Sequence, residues 1–352
     1  MNEAELLNDH PLGNELETEG SAVIYRRYCS FLVFGIIIGA ATWLLLTYLQ
    51  LGVPTISSRG LAWEYQHKFA YARSLPSPKV ICVGGSGTLY GTRTELITER
   101  LGTPSVNFGT HAGLGIEYQL TQVKKIAQPG DIVLVSIEYE SLNAGPPSDV
   151  LVNYVFARDP QYWLHLPLAD RLRMAYTISP IRMCLGLSSR IQQPEKPKDD
   201  AYRATTRNAN CDATNNTLAD AASPLAQLTW RTNVYGALPE LTTGPAANSN
   251  GRAVIIRFKD WCDAHRVIIL ATFPPTQDFP AYHLPGAKAE QDRCVALYKD
   301  IGIPTLGTPQ DFFYPRTLLY DTPFHLNETG MTQHTKTLAG LLAPYLSQRK
   351  RY

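Results

Sequence analysis

Between Tyr28 and Ser58 the chain carries no charged residue, and positions 31–49 are almost continuously apolar. A stretch of that length crosses the hydrocarbon core of a bilayer as a helix, so residues 28–52 are expected to form a transmembrane anchor with Trp43 and Tyr48 as interfacial residues. Beyond it the pattern changes to short apolar runs alternating with helix-period stretches. Val80-Ile81-Cys82-Val83 reads as a buried strand, followed by a helix over 93–101. Ser105-Val106-Asn107-Phe108 reads as a second strand, followed by a helix over 116–127, and 131–136 as a third strand. Three β-α repeats in succession predict a parallel sheet. The pattern breaks over 141–250, too long for an ordinary connection and therefore an insertion, with a helical piece over 168–178 and a polar, loop-like stretch over 192–216. It resumes with a helix over 251–265, a strand over 267–272, a helix over 288–301, a short strand over 304–306 and a final helix over 328–346. The expected fold class is α/β: a three-layer α/β/α, flavodoxin-like parallel sheet with a long insertion that forms a lid or binding wall, plus one N-terminal transmembrane helix.

Charge orients this plan. Arg26 and Arg27 directly precede the apolar segment whereas the first basic residue after it is Arg59, which places the N-terminus in the cytoplasm and the rest of the chain outside. A cleaved signal peptide is the competing reading, but the apolar stretch and its leader are long and no Ala-x-Ala follows, which favours an uncleaved anchor. Residues 1–20 hold six carboxylates and no Lys or Arg, as suits a disordered tail. The expected divisions are 1–27 cytoplasmic tail, 28–52 anchor, 53–77 linker or stalk, and 78–352 an extracytoplasmic (periplasmic) domain held to the inner membrane. With 352 residues, 44% hydrophobic content and net charge +1, the chain can build a large core and has no electrostatic footprint for nucleic acid. Of six cysteines, Cys29 and Cys82 are expected to be free, while Cys184 with Cys211 and Cys262 with Cys294 are pairings left open. No Cys/His cluster has zinc-ligand spacing, and neither a metal nor a cofactor is expected.

Two short segments carry the candidate chemistry: Val83-Gly84-Gly85-Ser86-Gly87 after the first strand and Asp321-Thr322-Pro323-Phe324-His325 before the last helix. A serine hydroxyl becomes nucleophilic when an imidazole takes its proton, and the imidazole needs a carboxylate to fix its tautomer. Glycines let the chain turn sharply at the carboxyl end of a strand, where open α/β sheets bind ligands. The plain alternative is a strand-to-helix turn in which Ser86 caps the next helix.

With Asn107-Phe108-Gly109 after the second strand, these blocks resemble the SGNH/GDSL hydrolase superfamily. The single anchor, Phe273-Pro274-Pro275 and Tyr320-Asp321-x-x-x-His325-Leu326-Asn327 look most like membrane-anchored members that assist acylation of cell-surface polymers, such as the alginate-acetylation and teichoic-acid D-alanylation proteins. The resemblance spans roughly 78–345 and rests on four short blocks. It implies Ser86 as nucleophile, His325 as base and Asp321 as orienter, with the amides of Ser86 and Gly109, aided by the Asn107 side chain, as the oxyanion hole. It further implies a membrane-anchored serine O-acyltransferase that passes an acyl group, acetyl, through acyl-Ser86 to an exported polysaccharide, partnered by a multi-spanning membrane acyltransferase and export machinery. A carbohydrate esterase and a non-catalytic scaffold are the alternatives.

Two departures stand out. The family spacing is Asp-x-x-His, whereas four positions separate Asp321 from His325, so either the loop bulges or another acid such as Asp311 supports the imidazole. Where the third strand should lead to Gly-x-Asn-Asp, the chain reads Ser136-Ile137-Glu138-Tyr139-Glu140, and an ionised carboxylate cannot donate to an oxyanion. Glu138 and Glu140 are therefore read as structural or substrate-contacting. His111 either touches substrate or bonds nearby backbone, and His334 is a surface or packing residue. Tyr139, Tyr154, Trp163 and Tyr235 are either a sugar platform or core.

Overall fold

The structure, a computed structural model, describes residues 11–143, 145, 147–192, 206–237 and 250–349. Helix α1 (Pro11–Leu49) is followed by α2 (Arg59–Ser74), β1 (Val80–Gly84), α3 (Ser86–Gly91), α4 (Thr94–Leu101), β2 (Ser105–Asn107), α5 (Ile116–Val123) and β3 (Ile132–Ser136). The insertion contributes α6 (Asp149–Arg158), α7 (Pro160–His165), α8 (Leu168–Tyr176), α9 (Pro180–Gln192), α10 (Leu218–Ala222) and α11 (Pro224–Ala237). Then come α12 (Asn250–Ala264), β4 (Ile268–Thr272), β5 (Thr276–Gln277), α13 (Pro285–Ile301), β6 (Phe313–Tyr314) and α14 (Glu328–Arg349).

The main sheet is parallel, in the order β2-β1-β3-β4. Gly84 pairs with Ser136 and Ser136 with Thr272, so the carboxyl ends of three strands are level with the first turn of α3. Successive side chains alternate between the sheet's faces. Ile81, Val83, Val133 and Val135 join the large core with Tyr118 of α5 and Phe258 of α12, while Val80, Cys82, Ile132 and Leu134 pack on Ile97 of α4 and Leu342 of α14. Both faces are thus covered by helices, as an all-parallel sheet requires.

The structure departs from the sequence expectation in three places and answers the open cysteine question. Positions 304–306 are no strand: Thr305 makes a single bridge to Ala271. Residues 53–77 are no free stalk, because Tyr65 and Ala72 of α2 lie in the core and buried Lys68 donates through Nζ to the Asn107 carbonyl at 2.7 Å. The helix that contains the apolar segment begins at Pro11, so positions 11–20 of the expected disordered tail are helical; residues 1–10 lie outside the described residues. All six cysteines are free, with Cys184 exposed and Cys211, Cys262 and Cys294 buried, so neither open pairing forms.

Residues 23–49 of α1 are long and apolar enough to cross a membrane. Its final turns touch the insertion: Trp43 Nε1 donates to the Ala175 carbonyl of α8 at 2.9 Å, and Arg182 of α9 donates to Gln50 Oε1 at 2.7 Å. Of the expected loop over 192–216, residues 193–205 lie outside the described residues. From the remainder, buried Asp212 accepts from the backbone N–H groups of Thr94 and Glu95, supplying the cap that α4 lacks locally and fixing where that helix starts.

Candidate active site

Ser86 is the first residue of α3 and lies half-exposed amid a buried run from Ile81 to Leu89. The turn before it needs glycine: a Cβ on Gly85 would meet the Ala112 Cα at 2.7 Å and collide with the Glu138 carboxylate. That carboxylate, buried after β3, accepts from the Gly85 N–H at 3.0 Å and the Gly87 N–H at 3.2 Å, one on each oxygen. Glu138 therefore clamps the backbone on both sides of Ser86. Burial pushes its carboxyl up to about 7, against the two glycine N–H groups, which favour the charged form. Between the clamped amides, the Ser86 N–H has no carbonyl a turn earlier in α3 to bond.

His325 sits on a loop closed by the Tyr320 N–H donating to the His325 carbonyl at 2.7 Å and by a bridge between Leu319 and Leu326. This tight reversal absorbs the extra residue of the Asp-x-x-x-His spacing and sets His325 Nδ1 2.7 Å from Asp321 Oδ1. Asp311 is engaged elsewhere, accepting from the Thr308 N–H and hydroxyl. With Nδ1 held by the carboxylate, Nε2 is the ring nitrogen left to act as base.

Two contacts join the segments. Tyr90 lies four residues after Ser86, on the same face of α3, and its ring stacks on His325 with centroids 4.6 Å apart. A Cβ on Gly87 would come 3.9 Å from the Phe324 carbonyl oxygen. Ser86, Tyr90, His111 and His325 line one cavity of about 620 Å³, walled by Leu61 of α2, Val150 and Val152 of α6, and Ile181 and Leu185 of α9. A serine and an imidazole held by a carboxylate, lining one cavity of mixed apolar and polar residues, are the parts an acyl-transfer site needs.

The expected oxyanion residues are corrected. Buried Asn107 donates through Nδ2 to the carbonyls of Thr88, Leu89 and Thr92, and its Oδ1 accepts the Gly109 N–H at 3.0 Å. A Cβ on Gly109 would meet the Leu89 amide nitrogen at 2.6 Å, so Gly109 is needed for packing against α3. Both residues hold α3 on the sheet, and neither lines the cavity. His111 does: its Nδ1 accepts the Gly113 N–H at 2.9 Å, which leaves the proton of the neutral ring on Nε2. Burial, then proximity to His325, lowers its pKa and favours that neutral form.

Other candidates fall away. His334 is fully buried against Tyr314 and Phe312, and burial pushes it down to about 3. Tyr139 and Tyr154 are core, Trp163 packs against it, and the Tyr235 side chain lies outside the described residues. The sequence reading missed α2: Glu64 lines the cavity, pairs with Arg207 at 2.6 Å and with Lys68 at 3.6 Å, and the Arg207 guanidinium lies over the Tyr90 ring at 5.7 Å. The i,i+4 spacings Glu64–Lys68 and Ser86–Tyr90 were the available signal.

No family model matches this chain, and no curated protein matches it. A crystal structure of the protein YxiM from Bacillus subtilis is similar over 76% of this chain and 57% of its own, at 10% identity and a TM-score of 0.35; so remote a likeness carries no argument about function. Among the described residues, no group of His, Cys, Asp or Glu is placed to hold a metal ion.

Proposed function

We propose that this protein is a membrane-anchored serine acyl-transfer enzyme of SGNH type. Ser86 is its nucleophile, His325 its general base and Asp321 the residue that holds the imidazole. The observation that carries this reading is the 2.7 Å Asp321–His325 bond on the wall of the cavity that Ser86 also lines. Ser86 attacks an acyl carbonyl, His325 takes its proton, and the Ser86 amide with the His111 Nε2–H stabilises the oxyanion. The leaving group departs with the proton from His325, giving acyl-Ser86. A second hydroxyl, deprotonated by His325, then attacks the acyl carbon, the ester bond to Ser86 breaks, and His325 returns the proton to the Ser86 oxygen.

The acceptor is a sugar hydroxyl of an exported polysaccharide and the acyl group is acetyl, delivered by a multi-spanning membrane acyltransferase on the extracytoplasmic side. The Val150, Val152, Ile181 and Leu185 part of the cavity wall supports transfer over hydrolysis, since an acceptor seated against it would shield acyl-Ser86 from water. The arginines before the span support the outward orientation of the domain. A serine-directed fluorophosphonate should label the wild-type protein and leave Ser86→Ala unlabelled; no labelling of a folded wild-type chain would overturn the catalytic reading. Incubation with an acetyl donor and oligosaccharides should give acetylated sugar. Free acetate alone, with acceptor demonstrably bound, would make the protein an esterase.

A further inference from the structure

The helices α7, α8 and α9 wear their apolar side chains outward. Of the eleven large apolar residues that stand exposed beyond Leu49 among the described residues, six fall in these three consecutive helices: Leu164, Leu168, Leu172, Tyr176, Ile181 and Leu185. The spacing is regular. Leu168, Leu172 and Tyr176 form one stripe along α8, while exposed Ile181, Cys184 and Leu185 form another along α9. The opposite faces are buried: Met174 and Ala175 on α8, and Arg182, Met183 and Gly186 on α9. A soluble domain exposes scattered apolar residues but not consecutive stripes.

What covers these stripes is indicated by their neighbour. Trp43 of the apolar span bonds Ala175, and Gln50 bonds both Arg182 and Met183. Gly186 has no room for a Cβ because the Gln50 side chain lies against it. Trp43 stands six residues before the end of the span at Leu49, about 9 Å along the axis at the helical rise of ~1.5 Å per residue. The 27-residue span is about 40 Å long at that rise, against a hydrocarbon core of ~30 Å. With the span centred, about 5 Å projects beyond the core at each end, so Trp43 falls about 4 Å inside the hydrocarbon edge, close below the headgroups, and α8 is held near that depth.

We infer that the outward faces of α8 and α9 lie in the interface of the bilayer that α1 spans, so that the Ser86 cavity opens at the membrane surface. This rests on α1 being a membrane span. Ile181 and Leu185 belong both to the exposed stripe and to the cavity wall, so the lipid-facing surface runs into the mouth of the cavity. Exposed Arg173, beside Leu172 on α8, is placed to meet lipid phosphates while the apolar stripe contacts acyl chains. An acyl donor carried in the membrane would thus reach Ser86 without crossing water.

The native thiols supply the test. Cys29 lies in the span and Cys184 on the α9 stripe, and both are exposed whereas the other four are buried. Full-length Cys29→Ser and Cys184→Ser variants, each labelled in detergent with a nitrobenzoxadiazole fluorophore, are reconstituted into phosphatidylcholine nanodiscs. The label at Cys184 should be quenched by 5-doxyl phosphatidylcholine as strongly as the label at Cys29 and shielded from aqueous iodide. A label on Leu172→Cys in the Cys-replaced background should behave alike, and one on Asp292→Cys of α13 should answer to iodide only. Quenching at Cys184 by iodide and not by doxyl lipid would overturn the inference while doxyl quenching at Cys29 upheld the span. Failure at Cys29 as well would remove the span itself. Shielding from both quenchers that vanishes at one protein per disc would assign the stripe to a second copy and likewise overturn the proposal.

Discussion

The two halves of the candidate site are built by different means. The Gly85–Gly87 turn is set by contacts from far along the chain: Glu138 grips its amides, and the Thr88 hydroxyl donates to the Ser136 carbonyl across the sheet. The loop from Tyr320 to His325 is set mainly at short range, through a backbone reversal and the bond between residues four apart, with one distant backbone tie, the Gln277 N–H of β5 donating to the Pro323 carbonyl at 2.7 Å. Ser86 is consequently mounted on the core, and His325 on a mostly local bracket tied to β5 through Gln277 and docked against α3 through Tyr90. Substitutions in the bracket should alter chemistry with little effect on folding, whereas substitutions around the turn should alter folding as well.

The sharpest break of this comparison comes from the reacting residues. Ser86→Ala and His325→Ala should each lower the turnover of acyl transfer by about 10⁴-fold or more, and the double variant scarcely further, because the two act as one unit. Additive losses would separate them. Asp321→Asn should cost roughly 10⁴-fold in kcat through the wrong imidazole tautomer. Its thermal midpoint should stay near that of wild type, since Asp321 and His325 lie on a part-buried surface loop. Steady-state kinetics beside thermal unfolding measures both.

His111→Ala comes next. Loss of one preorganised donor to an oxyanion lowers kcat by about 10²-fold with little change in KM. An unaltered kcat would remove His111 from the chemistry and leave the oxyanion to the Ser86 amide. His111→Gln, whose amide still donates, should recover part of the loss.

What was legible in the sequence follows the same divide. The four strands of the main sheet were readable, three of them as apolar runs bounded by turn residues, whereas the two-residue β5 and β6 are too short to leave a pattern. The Asp321–His325 pair was readable because its partners are four residues apart. Glu138 was visible only as a departure from Gly-x-Asn-Asp, since nothing local reveals that its carboxylate reaches back past β1 to the Gly85 and Gly87 amides. The oxyanion roles given to Asn107 and Gly109 failed for the same reason: their motif fixes a turn but not which way its amide points, and that amide faces Asn107 Oδ1. The α2 segment read as a stalk from its place between the span and the first strand, while its buried members include Lys68 and Glu64, which a core accepts only when paired.

Glu138→Gln should have the smallest kinetic effect, a drop in kcat of about tenfold, and its clearest signature is in stability against pH. A glutamine offers one acceptor oxygen to two N–H groups, so one buried donor is left unmet at a cost of about 1–3 kcal/mol. In wild type the carboxyl titrates at about 7 when folded, above its ordinary 4.5. The folded state thus binds the proton more tightly than the unfolded state, and the stability this residue adds is fully present below pH 4.5 and lost as pH rises through 7. Relative to Glu138→Gln, which does not titrate, the wild-type protein should lose about 3 kcal/mol across that window. Thermal unfolding of both full-length proteins in detergent between pH 4 and 8 measures the difference. Parallel curves would mean that Glu138 keeps its ordinary acidity under the turn. The glycine amides would then balance burial, and Ser86 would be held by a negative charge from about pH 5 upward.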